Sequence, residues 1–287
     1  MEKETEKVKK TFTIIPKKIN QSQKKSIIII DGSYFCFQRY FATKRWWSLA
    51  RPDEVQDYSI DNQEFVDKYI KTFGDKINEL KKKLNCLDAV IYAAKDCHRK
   101  DIWRKSLLES YKDNRVYDNT FQGGPFFSMA YKDNGLFKQN NIHTIFQHPK
   151  LEADDCVNLF IKHIQNKKNV DKIYIIANDM DYLQLASEQI RIYDMNYKCI
   201  NDSKKSFQDS EKDLFCKIII GDKSDNIPAV KKGVGIKTAE KIYHDNDYKT
   251  KFLNADIYKN YELNKKLIDF NEIPQCYQMD FYNLYCK

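Results

Sequence analysis

The sequence predicts an α/β fold: a mainly parallel sheet flanked by helices, with a smaller helical part at the C-terminus. Three observations carry this. Short apolar runs alternate with segments of helical period, the pattern of strands joined by helical crossovers and covered on both faces. Most of these runs stop at or just before an acid: Ile27-Ile28-Ile29-Ile30 leads into Asp31, the run from Ala89 to Ala94 stops two residues before Asp96, and the run from Ile173 to Ala177 stops two before Asp179. From about residue 211 the pattern turns helical and stays so.

The elements follow in order. Residues 1–25 alternate Lys and Glu and then carry Lys17-Lys18 and Lys24-Lys25. They read as a basic mobile leader, with a DNA-binding arm as the alternative. A strand is expected at 26–30, then a helix rich in aromatics (Tyr34, Phe35, Phe37, Tyr40, Phe41). Residues 44–60, with Trp46-Trp47 and Pro52, read as a loop. Phe65, Tyr69, Phe73, Ile77, Leu80 and Leu84 recur at three or four and predict a helix over 61–84. A strand at 88–94 and a basic helix over 101–115 come next. Gly123-Gly124-Pro125 and Asp133-Asn134-Gly135 mark turns within 116–140. Ala153, Cys156, Val157, Phe160, Ile161 and Ile164 give one apolar face to a helix at 152–165. Strands at 172–177 and 190–194 flank a short helix. Asp213–Ile220 reads as a helix, then a Gly/Pro loop, then a helix from Lys237. The expected organisation is a core over 26–210 with a basic gateway at 101–140, a DNA-binding subdomain at 211–245, and an extension at 246–287 that is polar, tyrosine-rich and without a readable motif.

Composition narrows the classes. Hydrophobic residues make up 42 %, enough for a globular core, and 49 Lys and Arg against 41 Asp and Glu leave a net charge of +8. A basic protein that concentrates acids at one site fits a nucleic-acid binder that holds metal, although solvated lysines and an AT-rich coding bias also raise this charge. The eight cysteines show no Cys-x-x-Cys and no zinc spacing, which fits a reducing intracellular compartment, cytoplasm or nucleus, rather than a secreted disulfide scaffold. No run approaches the ~20 apolar residues of a membrane span. A monomer is expected, and no motif for a protein partner is readable.

Nine carboxylates sit where short metal ligands would be placed: Asp31, Asp96, Glu152, Asp154, Asp155, Asp179, Asp181, Asp222 and Asp225. Acids gathered at one sheet edge repel and are costly to desolvate, so a cation must compensate. Oxygen-only ligation suits Mg²⁺ or Mn²⁺. Taken singly, each motif has a plainer reading. Glu152-Ala153-Asp154-Asp155 could only cap a helix, Asn178-Asp179-Met180-Asp181 could be a turn, and Gly221-Asp222-Lys223-Ser224-Asp225-Asn226 a polar loop. Their combination in one order weakens all three. In a helix, Arg104, Tyr111 and Arg115 would share a face with Lys112 beside them, presenting cations to a phosphate. Residues 226–239 carry a helix–hairpin–helix signature. There Gly233 and Gly235 let the backbone approach a phosphate while Lys231, Lys232 and Lys237 add charge, so duplex DNA would be held by its backbone.

With these residues in hand, the chain resembles the 5′ nuclease family, which includes flap endonucleases, the 5′-exonuclease domain of bacterial DNA polymerase I and phage ribonuclease H. The resemblance spans roughly 26 to 245. It rests on Ile-Asp-Gly-Ser at 30–33, Asp96 with Trp-Arg and Tyr-Lys-x-x-Arg, Glu-Ala-Asp-Asp at 152–155, Asn-Asp-x-Asp at 178–181 and Gly-Asp-Lys-Ser-Asp-Asn-Ile-Pro at 221–228. It implies a resolvase-like (PIN-like) core and two Mg²⁺ or Mn²⁺ ions. Asp31, Asp96, Glu152 and Asp154 would form one ligand group, and Asp155, Asp179, Asp181 and Asp222 or Asp225 the other. It also implies that Lys112 and Arg104 contact the reacting phosphate, that Lys105, Tyr111 and Arg115 belong to the DNA-binding surface, that Phe37 stacks on a terminal base, and that the hairpin holds K⁺ through main-chain carbonyls. Met180 stands where Lys is common, Ala229 where Gly is usual, and the hairpin has one additional Lys.

The expected activity is a metal-dependent 5′→3′ exonuclease and structure-specific flap endonuclease. Its substrate would be a 5′-flap, nicked or primer-bearing DNA duplex, or an RNA/DNA hybrid, processed in replication and repair. Alternatives are a non-catalytic DNA-junction binder and a PIN-type ribonuclease. An acid-dependent phosphatase fits less well, because Asp31-Gly32-Ser33 lacks a second aspartate two residues on.

Overall fold

A computed structural model describes residues 24–115, 120–165, 167 and 169–286. The basic leader expected at 1–25 lies almost wholly outside the described residues. Strand β1 (Lys25–Asp31) is followed by helices α1 (Gly32–Ala50) and α2 (Gln63–Lys83), then β2 (Val90–Ala94). Helices α3 (Gly124–Tyr131) and α4 (Leu136–Gln139) lead to the short β3 (Ile145–Phe146), and α5 (Ala153–Ile164) to β4 (Val170–Ile176) and β5 (Ile190–Tyr193). The chain closes with α6 (Ser210–Ile220), α7 (Ile236–His244), α8 (Asn246–Phe252), α9 (Ala255–Ile268) and α10 (Gln275–Tyr285).

The five strands run in the order β3-β2-β1-β4-β5, and every pairing is parallel. The strand order reverses at β1, with β2 on one side and β4 on the other. In open parallel sheets the crevice beyond the carboxyl ends at such a point is where ligands bind. Asp31 is the last residue of β1, and Asp96 and Asp179 follow β2 and β4 by two and three residues.

The alternation of β1 sets the two layers. Ile27 and Ile29 point into a core shared with Cys156, Leu159 and Phe160 of α5 and Phe281 of α10. Ile28 and Ile30 point into the other, with Phe35 of α1, Phe65 to Leu80 of α2, Phe126 of α3 and Phe137 of α4. Burying each isoleucine contributes about 1.5–3 kcal/mol, which makes β1 the anchor of the sheet. Helix α2 begins at Asn62, whose side chain accepts from Phe65 N, and ends in Lys81-Lys82-Lys83, matching its dipole. A third core (Phe215, Cys216, Ile219, Val230, Ala239, Ile242, Ile257) holds α6, α7 and α9 together. A fourth (Ile102, Tyr111, Ile218, Ile227, Leu267, Ile268) fastens them to the segment after β2.

Two sequence expectations are corrected, and two regions gain detail. Residues 44–50 continue α1 instead of looping, because Trp47 is 3 % exposed and packs edge-on against Phe65 at 5.6 Å. Residues 101–115 are not an α-helix but two 3₁₀ turns, Arg99–Asp101 and Trp103–Ser106, followed by further turns. Distant groups hold this segment: Trp103 N–H donates to Lys150 O, and Lys112 N–H to Asp225 O. The shared helical face of Arg104, Tyr111 and Arg115 therefore does not exist. Residues 116–140 contain α3 and α4. Residues 246–287 are a working part of the fold, since α9 packs on α6 and α10 on α5. Among the described residues, no helix is long and apolar enough to cross a membrane.

Gly32 opens α1 where the chain leaves β1. A Cβ there would lie 2.1 Å from Tyr131 Oη and 2.6 Å from Ala94 O. Gly32→Ala is expected to destabilise by about 1–3 kcal/mol through overpacking, read as a lower thermal midpoint; an unchanged midpoint would contradict this close approach.

Candidate active site

Three strand ends, one helix start and one interhelical loop bring the nine acids together. Asp31 also caps α1: its Oδ1 accepts from Tyr34 N (3.0 Å), and its Oδ2 accepts from Tyr182 Oη (3.0 Å). Burial, reinforced by the nearby Asp96 and Asp179, pushes its carboxyl up to about 7. Asp96 accepts from Ser33 Oγ (2.5 Å) and from Ala153 N at the start of α5 (2.8 Å). Glu152 and Asp155 form a capping box on α5. Asp154, next along that helix, has its carboxyl raised well above the usual range by burial and by Asp155 and Glu152.

Glu152, Asp154 and Asp155 can each offer an oxygen within 4.8 Å of the others, and so can Asp181, Asp222 and Asp225. This revises the expected grouping, because Asp155 lies with Glu152 and Asp154, and both Asp222 and Asp225 lie with Asp181. Asp155 is 0 % exposed. It accepts from Arg104 Nη1 (2.8 Å) and Nη2 (2.7 Å) and from Trp103 Nε1 (3.0 Å). Its oxygens are taken up by the protein, which makes it a support for the site more than a ligand.

Arg104 is placed differently from the expectation. It is 2 % exposed. Beyond Asp155 it donates to Glu152 (3.0 Å) and through Nε to Leu267 O (2.8 Å). Four of its five N–H donors are taken and the guanidinium is enclosed, so it acts as an internal counter-ion. Tyr111 is likewise enclosed, 2 % exposed, with its hydroxyl bonded to Glu152 and Asp225 at 3.0 Å each. Lys105 turns aside to Asp113 (2.6 Å).

Lys112 joins the two carboxylate groups, its ammonium paired with Glu152 and 3.4 Å from Asp225. Its backbone is in the left-handed region, φ 61°. That conformation costs a non-glycine residue about 1–3 kcal/mol, and it is held here by the hydrogen bond to Asp225 O. Arg115 pairs with Asp225 (2.6 Å) while half exposed. Asp222 accepts from Ser224 N (2.7 Å) and Oγ (2.6 Å); burial would raise its carboxyl, but Lys217 at 2.8 Å and the Ser224 donors hold it down at about 2.

Phe37 is 44 % exposed and lies against Phe121 (5.2 Å), Phe127 (4.7 Å) and Phe41 (6.4 Å). A cleft of about 1190 Å³ opens beside Asp96 and Ser33, walled by Phe127 and Tyr131 of α3 on one side and by Lys150 and Tyr285 on the other. Lys231, Lys232, Gly233, Gly235 and Lys237 are all exposed in the loop before α7 and its first turn. Gly233 has φ 84°, and Gly235 caps α7 without a side chain over the first amides. Sequence reasoning gave no role to Ser33, although it stands in the Ile-Asp-Gly-Ser motif, and missed Tyr182 and Lys217. Of the last two only Lys217 left a signal, standing five residues before Asp222 in a predicted helix.

The donor set fits divalent cations. It is all oxygen, it spans two groups, and three of its carboxyls, Asp31, Asp154 and Asp179, are lifted toward protonation by burial and by neighbouring acids.

Comparison with known proteins agrees with this geometry. A model of the family described as 5′-3′ exonuclease, N-terminal resolvase-like domain, matches residues 26–213. A 5′-3′ exonuclease of Buchnera aphidicola (subsp. Acyrthosiphon pisum, strain APS) is 28 % identical over 257 residues, covering 87 % of this chain and 79 % of its own. Ribonuclease H of enterobacteria phage T4 is 27 % identical over 203 residues, 64 % of this chain and 65 % of its own. In structure, a bacteriophage T5 flap endonuclease solved as a pseudo-enzyme–product complex with DNA and metal ions aligns with TM-score 0.63 at 16 % identity, over 90 % of this chain and 97 % of its own. With the family match covering well over half the sequence, this chain belongs to the 5′-3′ exonuclease family, with its resolvase-like domain at the N-terminal side.

Proposed function

We propose that this protein hydrolyses phosphodiester bonds as a metal-dependent 5′→3′ exonuclease and flap endonuclease, acting near the junction of a 5′ single strand and a duplex. The observation that carries this is the convergence of acids from β1, β2, β4, α5 and the α6–α7 loop at one strand-order reversal, with Lys112 between the two groups. Family membership and the structural neighbour solved with DNA and metal ions support it.

Asp31, Asp96, Glu152 and Asp154 are the residues to hold one Mg²⁺ or Mn²⁺, and Asp179, Asp181, Asp222 and Asp225 the other. Bound there, such ions would lower the pKa of a water and stabilise the leaving 3′-oxygen. Lys112 turns to the scissile phosphate when cations replace it among the carboxylates, helped by the half-exposed Arg115. Arg104, Trp103 and Tyr111 hold Glu152 and Asp155 in place from beneath. Phe37 offers its exposed ring to an unpaired terminal base. The turn at Gly233 and Gly235, with α6 and α7 about it, is read as a helix–hairpin–helix that grips the duplex backbone and takes K⁺ on main-chain carbonyls. Primer or flap removal by a monomer is the corresponding role. The complete carboxylate set argues against a non-catalytic junction binder, and the loop before α7 against a PIN-type ribonuclease.

The test is cleavage of a labelled 5′-flap duplex with Mg²⁺, with and without EDTA, by wild type and Asp179→Asn. Metal-dependent product near the junction from wild type alone is expected. Tight junction binding without product in Mg²⁺ or Mn²⁺ would sink the enzymatic reading.

A further inference from the structure

The two carboxylate groups differ in what holds them when no divalent ion is bound. Among the described residues, Asp31 and Asp96 receive neutral donors: Tyr34 N, Tyr182 Oη, Ser33 Oγ and Ala153 N. Asp181 and Asp222 instead share the ammonium of Lys217, paired with Asp181 and 2.8 Å from Asp222. Lys217 lies one turn from the end of α6, and its backbone carbonyl accepts from Gly221 N as the chain turns back at φ 70°. That reversal, bridged between Asp222 and Ile227, aims the Asp222 carboxylate at the Lys217 side chain.

We propose that the Lys217 ammonium is an exchangeable cation built into the second carboxylate group, which a divalent ion must displace from Asp181 and Asp222. The inference rests on reading those two acids as metal ligands. A magnesium ion requires carboxylate oxygens at about 2.0–2.1 Å, so Asp181 and Asp222 must close on it and release the ammonium. Like charges a few ångströms apart in a poorly solvated site repel strongly, so ion and ammonium do not share the oxygens. The flexible four-carbon stem lets Lys217 leave without moving α6, and its side chain is already 17 % exposed, so a path outward is open. The consequence is a graded centre. Asp31 and Asp96 themselves have no ammonium to release, Lys112 reaching their group only through Glu152, whereas Asp181 and Asp222 both give up Lys217 as they close on an ion.

The test is Mn²⁺ titration of the full chain without DNA, with free Mn²⁺ read by electron paramagnetic resonance. Wild type is compared with Lys217→Met, Lys217→Arg and Asp222→Asn, each shown folded by circular dichroism. Wild type is expected to show a tighter and a weaker class of site. Lys217→Met tightens the weaker class roughly tenfold, a coupling of ordinary size, and Lys217→Arg does not. Equal or weaker binding by Lys217→Met, with Asp222→Asn still weakening that class, overturns the exchange and leaves the metal assignment standing. No effect of Asp222→Asn overturns the metal assignment and the exchange with it.

Discussion

Asparagine in place of Asp31 is expected to make the metal-free protein more stable above pH 7 while lowering cleavage by at least about three orders of magnitude. Crowding by burial, Asp96 and Asp179 lifts the Asp31 carboxyl to about 7, whereas an unfolded aspartate titrates near 4. The sign follows from linkage. An acid whose pKa rises on folding costs nothing below about pH 4, costs progressively more as pH climbs toward 7, and imposes its full cost above that. Asparagine has the same shape, still accepts from Tyr34 N as a helix cap, and carries no charge. Melting curves in EDTA should therefore coincide near pH 4 and separate by pH 8, with Asp31→Asn the higher. Divalent ions reverse the order, because they bind and stabilise the wild type. The activity loss follows from a ligand set that supplies several kcal/mol of transition-state stabilisation, at about 1.4 kcal/mol per tenfold. A lower midpoint for Asp31→Asn in EDTA at pH 8 would show that the carboxylate is not strained.

Removing the guanidinium beneath the site should have the larger effect on folding. Arg104 sits 2 % exposed between Glu152 at 4 % and Asp155 at 0 %. Arg104→Met fills most of the volume but leaves the enclosed Asp155 without its cation and Glu152 with Lys112 alone, a situation that costs about 3–5 kcal/mol. At roughly 2–4 °C per kcal/mol for a chain near this size, the midpoint should fall by about 10 °C at neutral pH. Arg104→Lys should recover only part, since a point charge cannot reproduce the paired contacts at 2.7 and 2.8 Å. A midpoint within about 2 °C of wild type for Arg104→Met would mean the pair contributes little and that Arg104 is free for another task.

These two residues also mark what could be read before the fold was known. The acid at the end of β1 was legible because a short run of four β-branched isoleucines marks a strand buried on both faces, and such a strand delivers its last side chain to the sheet edge. The sheet, α2, α5 and the acids after β4 were legible for the same reason: period and punctuation there are local. The segment of Arg104 was not. Its shape is set by Lys150 O, Leu267 O and Asp225 O, groups 47 to 163 residues away, and no local pattern reports them. Basic residues at helical spacing therefore read as a helix, and a buried counter-ion as a phosphate contact. Helix α10 escaped because it buries little beyond Phe281, too narrow a stripe to show a period. The partition of Asp155 failed because a helix-start acid looks alike in sequence whether it serves an ion or an arginine.

The return of the chain to the sheet after α9 has a mechanical meaning. The helices after β5 leave the nuclease core at residue 210 and rejoin it through α10 on α5, and Arg104 pins the Leu267 carbonyl midway. The loop before α7 is thus carried on an arm tied to the core at two points, not on a module on a string. With that loop as the proposed grip on the duplex, the arm would work as a ruler, the site of scission being measured from the held duplex whatever the length of the strand beyond the cut.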